Sequence, residues 1–294
     1  ADKPGGFTSF DVVAVMRKIC GEKKIGHTGT LDPMATGVLP LLLGTATRAA
    51  PFLEDTEKEY EAAFRFGYAT DTQDSTGRVT ARGGARVTEE RLLEALGRFR
   101  GEILQTPPMY SAVRVGGRRL YELARQGVEV ERKARKVTIY RIRLLGFEEA
   151  EQSGRLFAAC SKGTYIRTLC ADLGQALGTY GVLTSLRRTR AAGFTLNDAV
   201  TLEKAEDLKK EGRLPECLRP VECLFPSKPK IRISAAQAKR FRNGGALDLG
   251  RTALSGNPAP EGARFRVCSP EGEFLGLGEK RDGKLHVLRL FCPV

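Results

Sequence analysis

Tryptophan is absent from the 294 residues, aromatic side chains make up only 7% of them, and there are just two histidines, His27 and His286. So few rings do not suit an extended base-stacking platform of the kind that binds single strands without sequence preference, so any nucleic acid must be held by charge and shape. The seven cysteines, at 20, 160, 170, 217, 223, 268 and 292, are an odd number without a C-x-x-C pair. With two histidines beside them they offer no cluster of four ligands for structural zinc, and no metal is expected. They read as reduced, mostly buried thiols. No apolar run approaches a membrane-spanning length, and neither a basic amphipathic helix nor a lipidation signal is present. The opening Ala1-Asp2-Lys3-Pro4-Gly5-Gly6 is no apolar leader, although a trimmed chain would start as abruptly. A cytoplasmic protein is expected, with a monomer as the default state.

What is plentiful is positive charge. Lysine and arginine total 48 against 35 acidic residues, so the net charge is 48 − 35 = +13, and the sequence pI is about 9.6. Such a balance favours a polyanionic partner, and nucleic acid is the usual one. The length suits about two domains, a catalytic body with an appendage.

Along the chain, a first helix is expected after Thr8-Ser9, whose hydroxyls can cap free backbone donors, with Val12, Val13, Met16 and Ile19 on one face and Gly21 as its stop. A glycine-rich loop from Gly26 to Gly37 leads into the apolar stretch Val38 to Leu43. From Tyr60 the period changes to two, with Tyr60, Ala62, Phe64 and Phe66 on one side, as in a strand with one buried face. Thr88, Glu89 and Glu90 open a second helix with Leu92, Leu93, Leu96 and Phe99 as its stripe. Residues 107–136 are polar, glycine-punctuated and basic, and read as an exposed excursion facing RNA. Ile166, Leu169, Leu173 and Leu177 then repeat at helical spacing, with Thr164 as the expected cap. Pro215, Pro220, Pro226 and Pro229 mark a stiff linker and a domain boundary. Beyond it, Ser234-x-x-Gln237 forms a capping box, and strands are expected near Phe265–Val267, Phe274–Leu277 and His286–Leu290, as in a small β-barrel. The expected division is residues 1–226 and residues 230–294.

Within the loop Gly26-His27-Thr28-Gly29-Thr30-Leu31-Asp32-Pro33-Met34-Ala35-Thr36-Gly37, Pro33 biases Asp32 toward an extended backbone, and apolar neighbours would leave its carboxylate partly dry and in need of a cation. On its own, an Asp-Pro pair between glycines is as well read as a turn. Tyr60 alone reads as a core tyrosine, Leu186 as core, and His27 as a residue satisfying its own loop. Arg167 in a helix's first turn opposes the helix dipole, which hints at a fixed anionic partner. Arg187, Arg188 and Arg190 suit a solvated face or phosphate contacts equally.

The segment from Gly26 to Gly44, GHTGTLDPMATGVLPLLLG, resembles the motif II segment of the TruB family of tRNA pseudouridine 55 synthases, whose catalytic aspartate falls on Asp32. Lys3-Pro4-Gly5-Gly6-Phe7-Thr8-Ser9 is similar to the family's opening segment, Lys58-Glu59-Tyr60 to the strand carrying its active-site tyrosine, and Cys160 to Leu169 to the segment bearing its active-site arginine. Leu186-Arg187-Arg188-Thr189 resembles the segment whose leucine contacts the target base, and Arg118 to Gly127 the family's mobile RNA-clamping loop. The resemblance covers nearly the whole chain and includes a C-terminal unit like a PUA domain.

The resemblance implies an α+β pseudouridine synthase fold, a mixed and largely antiparallel sheet with flanking helices, plus the small PUA-like barrel. It implies Asp32, Tyr60 and Arg167 as catalytic residues, Arg167 pairing with Asp32. His27, Tyr165, Leu186, Lys3, Arg118, Arg119, Arg125, Arg187 and Arg188 become substrate-binding candidates. The partner implied is the T stem-loop of tRNA. The isomerisation neither adds nor removes an atom, so no cofactor is expected. Two other classes remain open: a dyskerin-like subunit working with guide RNA, against which stands the short C-terminal unit, and a non-catalytic RNA chaperone, which would not need Asp32, Tyr60 and Arg167 together.

Overall fold

A computed structural model describes residues 1–53, 57–252 and 259–292. In chain order its elements are β1 (Asp2–Lys3), α1 (Ser9–Cys20), β2 (Ile25–His27), β3 (Thr36–Val38), β4 (Leu41–Leu43), β5 (Lys58–Phe66), β6 (Tyr68–Thr70), β7 (Val79–Arg82), α2 (Glu89–Arg98) and β8 (Gly101–Gln105). There follow β9 (Arg114–Val115), β10 (Arg118–Arg119), α3 (Leu120–Ala124), β11 (Arg135–Glu148), β12 (Ser153–Cys160), α4 (Ile166–Ala176), β13 (Gly181–Ala191), β14 (Phe194–Thr195) and α5 (Leu202–Lys210). The chain ends with β15 (Lys230–Arg232), α6 (Ala235–Arg242), β16 (Leu247–Asp248), β17 (Arg264–Cys268), β18 (Phe274–Arg281) and β19 (Lys284–Leu290). They form two compact units, one of Ala1–Val12, Gly29–Pro40 and Asp55–Leu202, the other of Val13–Thr28, Leu41–Glu54 and Glu203–Val294.

The first unit is built on a mixed sheet of order β1-β3-β13-β5-β12-β11-β8, with β14 also on β13. Only β3 and β13 run parallel; the other pairs are antiparallel. The alternation read in β5 is the alternation seen: Tyr60, Ala62, Phe64 and Phe66 are buried while Glu61 and Arg65 are exposed. Helix α4 packs beside β13, with Leu169 and Leu173 fully buried, and truncating either to alanine would cost about 2–5 kcal/mol. The approach is close enough that a Cβ on Gly174 would lie 2.4 Å from the backbone nitrogen of Gly181, so only glycine fits there.

Several local expectations need correction. The cap of α1 read in Thr8-Ser9 is present and comes from Thr8: its hydroxyl accepts from the Asp11 backbone N–H at 3.1 Å, and the Asp11 carboxylate accepts from the Thr8 N–H at 2.8 Å. Ser9 turns inward instead. Thr164 does not cap α4, because its hydroxyl donates to the Ser161 carbonyl at 2.9 Å and Tyr165 takes the cap position. In α2 the buried stripe is Leu92, Ala95 and Leu96, while Leu93 faces solvent. The basic excursion is shorter than read, since Arg135 and Lys136 already belong to β11 and pair with β8.

In the second unit, β15-β17-β18-β19-β16 form a five-stranded sheet around Ile231, Ile233, Phe241, Phe265, Val267, Leu275 and Leu285. The Ser234–Gln237 capping box opens α6 as expected. The strands β15 and β16 were not legible, being two or three residues long. The ribbon β2–β4 belongs to this unit too, so that His27 and Asp32, five positions apart, sit in different units.

Candidate active site

The loop that carries Asp32 is fastened on both sides. Ser9, 3% exposed, exchanges two bonds with Leu31, its Oγ accepting from the Leu31 N–H at 2.9 Å and donating to the Leu31 carbonyl at 3.2 Å. The Pro33 carbonyl accepts from the Gly6 N–H at 2.9 Å and from Lys3 Nζ at 3.1 Å. Further back, the Arg188 guanidinium takes the carbonyls of Gly29 and Thr30 at 3.0 and 3.4 Å. Ahead, Gly37 has φ +102°, and a Cβ there would lie 2.2 Å from the Arg188 carbonyl oxygen, which makes this glycine obligatory where β3 meets β13.

Against this loop stands Arg167 in the first turn of α4, 4% exposed. Its Nε lies 2.9 Å from Asp32 Oδ2 and its Nη2 donates to Asp32 Oδ1 at 3.1 Å, a two-point clasp that fixes the carboxylate plane. The remaining donors go to the Thr72 and Tyr110 carbonyls, each at 2.9 Å. A second carboxylate, Asp74, lies 3.7 Å from Nη1. Its own Oδ1 is held by Thr72 Oγ1 at 2.8 Å, by Thr76 Oγ1 at 2.6 Å and by the Thr76 N–H at 3.0 Å. Sequence reasoning missed Asp74, since Asp71-Thr72-Gln73-Asp74-Ser75-Thr76-Gly77 reads as an ordinary turn. It also missed Gln105, 2% exposed, whose amide accepts from the Tyr165 N–H and donates to the Tyr165 carbonyl, setting the start of α4.

Burial raises the proton affinity of Asp32 above the usual carboxylate range; Arg167 pulls the other way and Asp74 adds to the rise. The Asp32 side chain nonetheless keeps 34% of its surface open, so one edge faces outward while the other is clasped. Tyr60 is buried, its hydroxyl pushed up to about 12 mainly by burial, with the positive charge of Arg188 opposing that rise. Desolvation brings Lys3 down to about 8, with Asp32 opposing that fall.

The structure thus brings together Asp32, Arg167, Tyr60, Arg188 and Lys3. Two of the substrate-binding candidates are turned inward: Lys3 is fully buried with its ammonium on the Pro4 and Pro33 carbonyls, and Arg188 is 1% exposed, so both brace the loop and neither is placed to touch a surface phosphate. Leu186 is 7% exposed on β13 beside Ala62, and Tyr165 is half-buried. Arg187 keeps 42% of its side chain open and donates to Asp2 at 2.9 Å. Arg118, Arg119 and Arg125 stand exposed around α3, the last two flanking the Tyr121 ring at 5.8 and 5.5 Å. His27 is half-buried on β2. Among the described residues no group of three histidine, cysteine or acidic side chains could hold a metal, and no helix is long and apolar enough to cross a membrane.

Comparison with known proteins identifies the class first by its fold. The chain superimposes with a TM-score of 0.71 on a chain of the "Crystal Structure of a Cbf5-Nop10-Gar1 Complex", at 27% identity, covering 99% of this chain and 84% of that one. A second solved structure, of an "H/ACA RNP bound to a substrate RNA containing 2'-deoxyuridine", gives 0.70 at 26% identity over 99% and 84%. This is the pseudouridine synthase fold with a PUA-like C-terminal unit. Residues 17–166 match the model of the TruB family pseudouridylate synthase N-terminal domain, 167–225 that of a tRNA pseudouridylate synthase B C-terminal domain, and 229–291 that of a TruB C-terminal unit. A tRNA pseudouridine synthase B of Aromatoleum aromaticum is 47% identical over 100% of this chain and 92% of its own length, and one of Syntrophomonas wolfei 42% identical over 96% and 92%. The chain belongs to the TruB family of pseudouridylate synthases.

Proposed function

We propose that this enzyme isomerises uridine 55 in the T stem-loop of tRNA to pseudouridine, working as a monomer without guide RNA, and that Asp32 is its catalytic carboxylate. The observation that carries the site reading is the two-point clasp of Arg167 on Asp32, in which the arginine opposes the rise that burial gives this carboxylate and aims it, with one edge open to a ligand. The reaction breaks the N1–C1′ bond, turns the uracil and rejoins it through C5. A flipped nucleotide must enter the pocket for this, and Asp32 then acts at the sugar or base as nucleophile or base. Tyr60 lies under the uracil and its hydroxyl exchanges the proton at C5. Leu186 closes the other face. Arg118, Arg119 and Arg125 grip phosphates of the arm, His27 fills the gap left in the loop, and residues 230–294 hold a neighbouring part of the RNA.

Full-length relatives named tRNA pseudouridine synthase B, at 38–47% identity, favour the guide-free reading over a subunit of a guided particle. The test is to incubate the purified chain alone with an unmodified T-arm hairpin carrying tritium at uridine C5. One tritium released per hairpin is expected. Release only after a guide RNA is supplied would favour the guided reading, and none under either condition would remove the activity.

A further inference from the structure

Five residues beyond Arg167 on α4, Asp172 lines a surface pocket of about 270 Å³ with Gln73, Gln175, Tyr180, Ala69 and Ala171. Its carboxylate makes no hydrogen bond or ion pair with any described residue, and burial alone pushes it up to about 6. Drawing an unpaired carboxylate out of water costs stability, and asparagine of nearly the same shape would avoid the larger part of that cost. A charged group kept unpaired in a cleft points to a ligand that supplies the missing partner.

The surroundings say which ligand. Gln73 sits in the left-handed region, φ +62°, held there by its N–H on the Thr70 carbonyl and by the Leu183 N–H on its own carbonyl, each at 3.2 Å. Its Oε1 accepts from Thr168 Oγ1 at 2.9 Å, so the amide has its two hydrogens left to offer. Tyr180, 42% exposed, adds an aromatic ring, and its carbonyl is fastened by the Gly67 N–H at 3.0 Å. The pocket therefore presents a pair of acceptors, a donor and an aromatic face beside small apolar side chains. Guanine has the complementary edge: N1–H and the N2 amine are adjacent donors, O6 is an acceptor next to them, and the purine is flat. Adenine would set its N1 lone pair against the carboxylate, uracil offers one N–H between two carbonyls, and a small organic cation would meet the amide hydrogens of Gln73. The volume lies just below the roughly 300–1,000 Å³ that hold drug-sized ligands, which suits one base with its sugar outside.

We propose that this pocket binds a guanine base, Asp172 accepting from N1–H and the N2 amine, the Gln73 amide donating to O6 and the Tyr180 ring stacking on the purine. The site uses none of the residues that carry the uridine reaction and takes no part in bond making. The guanine belongs either to the RNA or to a free nucleotide, and the chemistry of recognition is the same for both. Ionised Asp172 is the binding form. Among the described residues no charged side chain of α4, β6, the Thr72–Asp74 turn or β13 contributes to its shift; its titratable neighbours are Tyr180 in the lining and Cys170, a thiol that burial pushes up to about 12. Affinity should therefore fall about tenfold for each pH unit below about 6.

The full chain is titrated calorimetrically with the 5′-monophosphates of guanosine, inosine and adenosine, which share one phosphate so that their differences report the base. The guanosine nucleotide should bind with a Kd on the order of 0.1 mM, inosine, which lacks the N2 amine, about tenfold more weakly, and adenosine more weakly still. Asp172→Asn should lose about ten- to hundredfold and Tyr180→Leu about tenfold. Because Asp172→Asn should also melt higher than wild type near neutral pH, a lost contact is separated from a damaged fold; if one variant does not fold, the other decides alone. Photocrosslinking of an unmodified tRNA transcript carrying 6-thioguanine assigns the source. A cross-link within residues 171–181 places the guanine in the RNA, and its absence with the nucleotide still bound makes it a free one. The proposal is overturned by equal affinities for the three nucleotides, by guanosine binding that neither variant weakens, or by methylammonium bound as tightly with the same dependence on Asp172. No saturable binding of the guanosine nucleotide together with no cross-link would overturn it as well.

Discussion

Asp74 has no hydrogen-bonding edge to spare for a substrate: three bonds hold its Oδ1, and its Oδ2 faces Arg167. Its effect on the site therefore runs through Arg167 and through the field its charge exerts on Asp32. Asp74→Asn keeps the shape and removes the charge, and should lower the single-turnover rate by about ten- to hundredfold, the range of a hydrogen bond or ion pair to a charged group, while RNA affinity is unchanged. A parallel loss of affinity would show that the turn shapes the RNA surface instead. Asp172, on the same helix, is held by no partner among the described residues, and burial alone pushes it up to about 6 from 3.8. The sign follows from linkage: an acid whose folded pKa is raised costs stability as pH rises from about 4 to 6, and the full cost persists above that. The shift corresponds to about 3 kcal/mol, reduced to roughly 1–2 because the residue is only half-buried. Asp172→Asn should therefore melt higher than wild type at pH 7.5 and equally near pH 4; a lower melting point at both would point to an unrecognised hydrogen bond. Asp32 was legible in sequence through the length of its motif. Asp74 was not, because nothing in a Thr/Asp/Ser/Gly turn says which carboxylate points inward. The inward turn of Lys3 and Arg188 was hidden for a like reason, since basic residues in a +13 chain read as surface.

At the scale of elements, hydrophobic periodicity placed α1, α2, α4 and β5, because each has one apolar face and a hard stop in glycine or turn residues. The fine chemistry of their ends was less legible. Thr164 is the expected kind of cap, yet its hydroxyl finds the Ser161 carbonyl first, and Gln105 from β8 fixes the Tyr165 backbone. Such a choice depends on a strand 60 residues away. The basic hairpin and α3 are the element where charge is most exposed. Neutralising Arg118, Arg119 and Arg125 together to glutamine should weaken binding to the isolated T-arm hairpin and flatten the slope of log affinity against log salt by roughly 2–3. An unchanged slope would mean that these side chains meet no phosphate. Since Arg119 and Arg125 also flank Tyr121, Tyr121 should keep its place only if their stems remain, which glutamine preserves in part.

For the whole molecule, a net charge of +13 suits the proposal that both units hold RNA. The sheet β15-β17-β18-β19-β16 has its own core, so the proposed division of labour can be tested by deleting residues 230–294. The truncation should weaken full-length tRNA more than the T-arm hairpin; equal losses would make this sheet a support for the rest of the chain. The central claim is that Asp32, clasped by Arg167, isomerises one uridine of the T loop. It is tested most directly on a full-length unmodified tRNA, by mapping pseudouridine at every uridine after a single turnover with wild type and with Asp32→Asn, and by measuring both affinities. Wild type should convert the one T-loop uridine completely, and Asp32→Asn none, with affinities within about threefold, because the amide nearly matches the carboxylate in shape but cannot serve as nucleophile or base. Conversion by Asp32→Asn at the wild-type rate would contradict it.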